Sequence, residues 1–590
     1  MKQNRTKFFS LLLAWMLLLS ACGQSDDTEK PDDQPLTLTI RTGEKQTTLD
    51  PADSTAAGSE TILFHLYENL MRWEDDGNGF AKLAPGQAAS YEVETDYEGN
   101  ATYTFTLRDD IFWSNGDPVT AQHFVGAWLR LADPYFNSPH SELLRVVSGY
   151  DIVQECGDIT ALGISAPDPL TFIVTLNGNP PYFLEEVCAS AYTMPAHVTV
   201  VSEKDPFITN GAYLVQNFSS NQVSLRKNEF YYDCDNVIAK EIHFIPSTNS
   251  QADYDAFLNA QADLVEHLPL SVLQELKESG NWTSEPTTGT YGVVFNTLQS
   301  PFDNADIRTA LHLVIDKQAV VDALGDYTSR PAVGLIPYGI TDYGVRHMET
   351  APQTETNASL PDPNAPQQPT VQAPATLWDF RAHSQKIVTM NTGTDYAADC
   401  LRAKTLLSQA GYHAGKDFPP VEYIYVSSPE NKIVAQTLQA IWKEQLGITV
   451  TLRALTQAEY NQMLSAPIPE DESDETFVAI PDFQMAGMSL YTDYNDAGTL
   501  LSRWYSTDES NCSGYSSEAF DILINASRVA RSPETYDAYF HDAEAILLAD
   551  SPVIPIYFHG TSFAFSDHLK GLYRSPNGVN FLTKVSRESR

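Results

Sequence analysis

Basic residues are scarce in this sequence. Lys and Arg total 36 against 77 Asp and Glu in 590 residues, a net charge of −41. Phosphate backbones are held by clustered cations, so nucleic acid is excluded as a partner. The surplus of acid favours solubility and, weakly, cationic ligands. Long apolar runs are equally scarce. Past Cys22 no segment reaches the ~20 residues that a membrane-crossing helix requires. Cysteine is rare: there are six, and no two stand in a C-x-x-C pair, which argues against a zinc site. The signatures of covalent chemistry are missing too. There is no G-x-S-x-G and no H-E-x-x-H. "HAGKD", His413–Asp417, lacks the first glycine and the closing Ser/Thr of a phosphate loop. The 13 histidines form no pair at ligand spacing. No metal, no cofactor and no enzymatic activity are expected.

What is present begins at the N-terminus. Lys2, Arg5 and Lys7 precede an apolar run from Phe8 to Leu19. A basic start and so short a run fit an export signal rather than a spanning helix. The run ends in "LSAC", Leu19–Cys22, which resembles the bacterial lipobox. That resemblance implies cleavage before Cys22 and a lipid on its thiol, holding the protein on a membrane surface. Residues 23–35, "GQSDDTEKPDDQP", read as a flexible tether. Five cysteines remain beyond it: Cys156, Cys188, Cys234, Cys400 and Cys512. An odd number leaves at least one without a partner in the chain.

Helical and strand patterns alternate through the rest. Leu36–Arg41 and Thr102–Arg108 show the period-two alternation of half-buried strands. Thr120 can cap a helix with an apolar face of Phe124, Ala127, Trp128 and Leu131. Asp303 or Asn304 can cap another, through Ile307, Leu311, Val314 and Ile315. A third is expected from about Asn431 to Leu446, ended by Gly447, with a strand over Ile448–Arg453. Ser532-Pro533 opens a fourth. The fold class is therefore α/β (mixed α+β). Residues 349–375 carry six prolines among Gln, Thr and Asn, and read as a surface insertion without a core.

"LYTDYNDAG", Leu490–Gly498, looks most like a binding site. A calcium loop would need a side-chain oxygen where Ala497 stands and a glutamate where Trp504 stands. No partner residues suggest a scissile bond. A positively charged ligand group remains, with Asp493 as its acid and Asp496 as loop structure.

Seven blocks, in order, resemble the bacterial extracellular solute-binding proteins of family 5, the oligopeptide- and dipeptide-binding class. They begin with "TLDPADSTAAGSETILFHLYENLMRWE" (Thr48–Glu74) and "TYTFTLRDDIFWSNGDPVTAQHFVGAWLRLADP" (Thr102–Pro134). Asn210–Tyr213 with "LRKNEFYYD" comes next. "YGVVFNTLQSPFDNADIRTALHLVIDKQAVV" (Tyr291–Val321) and "CLRAKTLLSQAGY" (Cys400–Tyr412) follow. "NCSGYSSEAFDILINAS" (Asn511–Ser527) and "DSPVIPIYFHG" (Asp550–Gly560) close the series.

The resemblance implies a two-lobed, periplasmic-binding-protein-like fold with an extra domain on the first lobe. The first lobe would comprise 36–68, 210–287 and 552–590, the extra domain 69–209, and the second lobe 288–551. It implies capture of peptides by hinge closure and delivery to the permease of an ABC importer, by a lipid-anchored monomer at the cell envelope. Asp493 matches the family's amino-anchoring aspartate. Thr55, Ala56 and Ala57 match the first-lobe segment along the peptide backbone, and Gly487, Met488 and Ser489 its second-lobe partner. Tyr291 would line the cleft. Departures are Met485 for a frequent arginine, Met488 for an aromatic and Ala497 for a proline; they bear on peptide length. A nickel chelate, haem or an oligosaccharide is the alternative ligand within the fold. A peptide pheromone receptor is an alternative role, and a secreted hydrolase the alternative outside the class.

Overall fold

The structure is a computed structural model. It describes residues 35–588 except 57, 78, 80, 198–206, 248, 267, 280–282, 338–339, 341–395, 466–480, 493–494, 509, 529, 531–532 and 576–577. Cys22, the export signal, all but the last residue of the tether, the Pro-rich insertion, Ala57 and Asp493 lie outside the described residues.

Strand β1 (Thr37–Thr42) buries Leu38 and Ile40 completely. Helix α1 (Ser59–Leu66) follows Gly58, whose φ of 78° is open to glycine and strained for other residues. A four-stranded antiparallel sheet comes next: β2 (Ala88–Thr95), β3 (Ala101–Leu107), β4 (Ile164–Asp168) and β5 (Thr171–Thr175), in spatial order β2-β3-β5-β4. Helix α2 (Ala121–Ala132) packs there on the predicted face of Phe124, Ala127, Trp128 and Leu131. Its capping box uses His123, whose Nδ1 accepts the Thr120 N–H at 2.9 Å.

The main sheet then forms from β6 (Tyr213–Ser219), β7 (Gln222–Lys227), β8 (Glu241–Pro246), β9 (Leu264–Val265) and β10 (Thr283–Phe295). Helix α3 (Ala305–Leu313) stops just short of Val314 and Ile315, the end of the predicted apolar face, and α4 (Lys317–Leu324) follows. Asn304 caps the first. Asp316 caps the second by accepting from Ala319 N, so the chain breaks after Val314 while Val314 and Ile315 stay buried. Strand β11 (Val421–Val426), helix α5 (Pro429–Leu446) and strand β12 (Val450–Leu455) make a parallel β-α-β unit. Ser428 caps α5 with Pro429 in its first turn, two residues before the predicted start. Gly447 ends it at φ 73°, as its position suggested. Strand β13 (Met485–Tyr491), helices α6 (Ala497–Leu501) and α7 (Pro533–Asp550), and strand β14 (Val553–Phe565) complete the frame.

The main sheet runs β12-β11-β13-β10-β14-β9-β1-β8-β7-β6. Strands β10 and β14 are 13 residues each, and join the two halves. One core lies under β1, β7 and β8 and continues into the four-stranded sheet. Two others cover opposite faces of the β10–β13 half, with Tyr291, Val293 and Phe295 on one face and Val294 on the other. Trp442 is fully buried in the first of these, its indole N–H on Leu311 O at 3.1 Å. Each such large side chain stabilises its core by about 2–3 kcal/mol. The result is two lobes on one interrupted sheet.

Candidate functional site

The lobes meet where β10 and β14 cross. Thr283–Pro286 pairs with Gly560–Phe563, and Thr290–Val294 pairs with Val553–Phe558. The ladder is interrupted between Pro286 and Thr290. A Cβ on Gly560 would collide with the Thr328 backbone, so the two segments approach closely here. His559 stacks on Tyr491 with centroids 5.0 Å apart, and its Nε2 lies 3.1 Å from Ser489 Oγ. Burial pushes His559 down to about 4, so it is neutral near pH 7.

Strand β13 flanks this crossing. It pairs with β10 along Met485–Tyr491, but with β11 only along Met485–Gly487. The outer edge of Met488–Tyr491 therefore has no strand partner among the described residues. Met488 is half-buried and Ser489 exposed. Gly487 is dictated from below: a Cβ there would collide with the hydroxyls of Tyr423 and Tyr291. Tyr291 differs from its expected place. It is 0% exposed, stacked on Tyr557 at 5.0 Å, with its hydroxyl 3.1 Å from that of Tyr423. Strand alternation turns it into the second lobe's core, so it supports β13 from beneath instead of lining the cleft.

In the first lobe Thr55 is exposed and Ala56 half-buried. Residues from the four-stranded unit brace the segment before them. Arg130 grips Asp50 through two contacts, at 3.0 and 2.5 Å. Ser138 donates to Ala52 O at 2.5 Å and His140 Nε2 to Ser54 O at 2.6 Å. His140 also stacks on Tyr192, centroids 3.6 Å apart.

A seam of acids connects this unit to the second lobe. Glu185 and Glu186 leave a single π-helical turn, Phe183–Val187. Asn495 donates from Nδ2 to Glu185 at 3.1 Å, and its backbone N–H to Glu186. Asp496 caps α6 through Gly498 N at 2.7 Å and accepts the Tyr536 hydroxyl at 2.9 Å. Its structural reading is the one observed. Burial pushes Asp496 up to about 7 and also raises Glu60, Glu185 and Glu186.

Residues 82–512 match the family described as bacterial extracellular solute-binding proteins, family 5 Middle. The chain belongs to this family. The oligopeptide-binding protein OppA of Bacillus subtilis (strain 168) is 26% identical over 98% of each chain. The dipeptide-binding protein DppE of the same organism is 25% identical, covering 92% of this chain and 90% of its own. Among solved structures, the Escherichia coli murein tripeptide binding protein MppA superposes with TM-score 0.69 at 24% identity, covering 94% of this chain and 99% of that one. Haemophilus influenzae OppA in complex with RPPGFSPFR gives 0.68 at 23% identity, covering 94% and 99%. The two-lobed fold is thus that of family 5, and the family's function is solute capture.

Of the residues read from this family 5 sequence, the structure brings Gly487, Met488 and Ser489 to the lobe crossing. It leaves Thr55 accessible, and buries Tyr291. Asp50, Arg130, Ser138, His140, Glu185 and Glu186 were not foreseen. Arg130 and Asp50 are 80 residues apart, and Asn495 and Glu185 310 apart. Only the surplus of acid hinted at such a seam.

Proposed function

We propose that this family 5 protein captures peptides between its lobes and delivers them to the permease of an ABC importer. The observation that carries the reading is the edge of Met488–Leu490 beside the lobe crossing, which has no strand partner among the described residues. An extended peptide can pair with such an edge as an added strand. The exposed Thr55–Ala56 segment offers a second backbone partner from the first lobe. The names of the relatives, oligopeptide-binding and dipeptide-binding, point to the same ligand class.

Asp493 meets the peptide's α-amino group, which cannot be buried unpaired. Thr55 to Ala57 and Gly487 to Ser489 hold the backbone. The first lobe comprises 36–68, 210–287 and 552–590, the extra domain 69–209, and the second lobe 288–551. Closure is a hinge at the interrupted β10–β14 ladder, favoured by contacts a ligand makes only when both lobes touch it. The protein works as a monomer, held at the membrane's outer face by lipid on Cys22.

Native mass spectrometry of the purified protein tests the ligand class. A retained mass series matching short peptides supports the reading. Retention of a metal chelate, haem or sugar, with no binding of added peptides, overturns it.

A further inference from the structure

Glu186 is the least well satisfied group of the inter-lobe seam. It is 6% exposed, and its Oε1 has no hydrogen-bond partner. The groups acting most strongly on it, apart from the Asn495 N–H, are themselves acids: Glu185, Asp496 and Glu60. Each of these is already engaged. Glu185 receives Asn495 Nδ2, Asp496 receives Gly498 N and the Tyr536 hydroxyl, and Glu60 receives the Tyr192 hydroxyl. A carboxylate withdrawn from water needs a counter-charge or further donors. Beyond the Asn495 N–H, its neighbours supply neither, and Oε1 is left without a donor.

We propose that Glu186, flanked by Glu185 and Glu60, forms a cation subsite in the seam that takes the ammonium or guanidinium of a basic ligand side chain. The proposal rests on peptide capture as the function, and adds a preference to it. Three elements converge on the subsite: the π-helical turn Phe183–Val187, the first turn of α1 and the loop at Asn495. The π turn sets two successive acids against one loop, and such turns recur at functional sites. A bare metal ion is disfavoured, because among the described residues no three acidic, His or Cys side chains converge as a cage. An organic cation needs no such cage, since it brings its own N–H donors to carboxylates already in place. Because Asn495 borders the start of α6, close in sequence to the proposed amine anchor, the side chain addressed belongs to the amino end of the peptide.

The test is calorimetric titration of purified protein with two peptide pairs. These are Lys-Ala-Ala against norleucine-Ala-Ala, and Ala-Lys-Ala against Ala-norleucine-Ala; norleucine keeps the stem and lacks the ammonium. Wild type should bind at least one lysine peptide about tenfold more tightly than its norleucine twin. Glu186→Gln should reduce that preference below threefold. Without ligand, Glu186→Gln should melt no lower than wild type, since the amide keeps an acceptor for the Asn495 N–H and cannot ionise. Equal affinity within both pairs in wild type overturns the proposal. So does a preference that survives Glu186→Gln, or a Gln variant that fails to fold, which would make the acid structural. Failure of wild type to bind any of the four peptides contradicts peptide capture itself, a result distinct from indifference to charge.

Discussion

Asn495 Nδ2 lies 3.1 Å from Glu185 Oε1, joining a second-lobe loop to a turn 310 residues earlier in the chain. A hydrogen bond to a charged acceptor is worth about 1.5–3 kcal/mol. It forms only with the lobes together, so it should favour closure. Asn495→Ala is expected to weaken ligand binding by roughly tenfold with little change in the melting temperature of either lobe. Titration calorimetry beside a thermal scan checks this; unchanged affinity would show that the contact is incidental.

Gly487 is expected to tolerate no side chain. Its missing Cβ leaves room for the hydroxyls of Tyr291 and Tyr423. Gly487→Ala should destabilise the second lobe by about 1–3 kcal/mol, the usual cost of overpacking. Adding Tyr291→Phe, which removes one of the two hydroxyls, should recover part of the loss. Urea unfolding of the single and double variants reads both.

Asp496 carries a pH dependence. Its carboxyl sits at about 7 in the folded protein, against 3.8 for the free side chain, chiefly through burial. Between those values the folded state holds a proton that the unfolded chain has released. Stability from this site is therefore greatest at low pH and falls as pH rises across the window. Asp496→Asn keeps an acceptor for Gly498 N and the Tyr536 hydroxyl without the charge. It should raise stability at pH 8 by about 1–3 kcal/mol and flatten the decline between about pH 4 and pH 7. Denaturant curves at four pH values suffice.

His140→Ala should loosen the first-lobe segment. It removes the bond to Ser54 O and the stack on Tyr192. One hydrogen bond and one ring contact amount to about 1–2 kcal/mol. Peptide affinity should fall several-fold, with Asn or Gln at the position restoring less than half of the loss.

Local signals in the sequence read well. Thr120, Asn304 and Gly447 bound helices because caps depend on a few neighbouring residues. Leu38 and Ile40 lie buried because strand alternation is equally local. The Val314–Asp316 break was missed because Asp316 caps a new helix inside an apolar face that continues unbroken. Tyr291 was placed in the cleft by resemblance, yet alternation along β10 turns it inward. The brace on Asp50 and the acids around Asn495 depend on pairings between distant segments, which no window of sequence contains. Capture of a solute was legible through ordered blocks of resemblance, while the seam needed coordinates.

We propose that a peptide is held by its free amine at Asp493. Titration of trialanine and N-acetyl-trialanine into wild type and Asp493→Ala tests it most directly. Wild type should bind the free-amine peptide, and acetylation or the substitution should each weaken binding by about 2–5 kcal/mol, the cost of an unpaired buried charge. The two losses should not add, because both remove one interaction. Equal binding of the two peptides by wild type, with the variant unaffected, would contradict the claim.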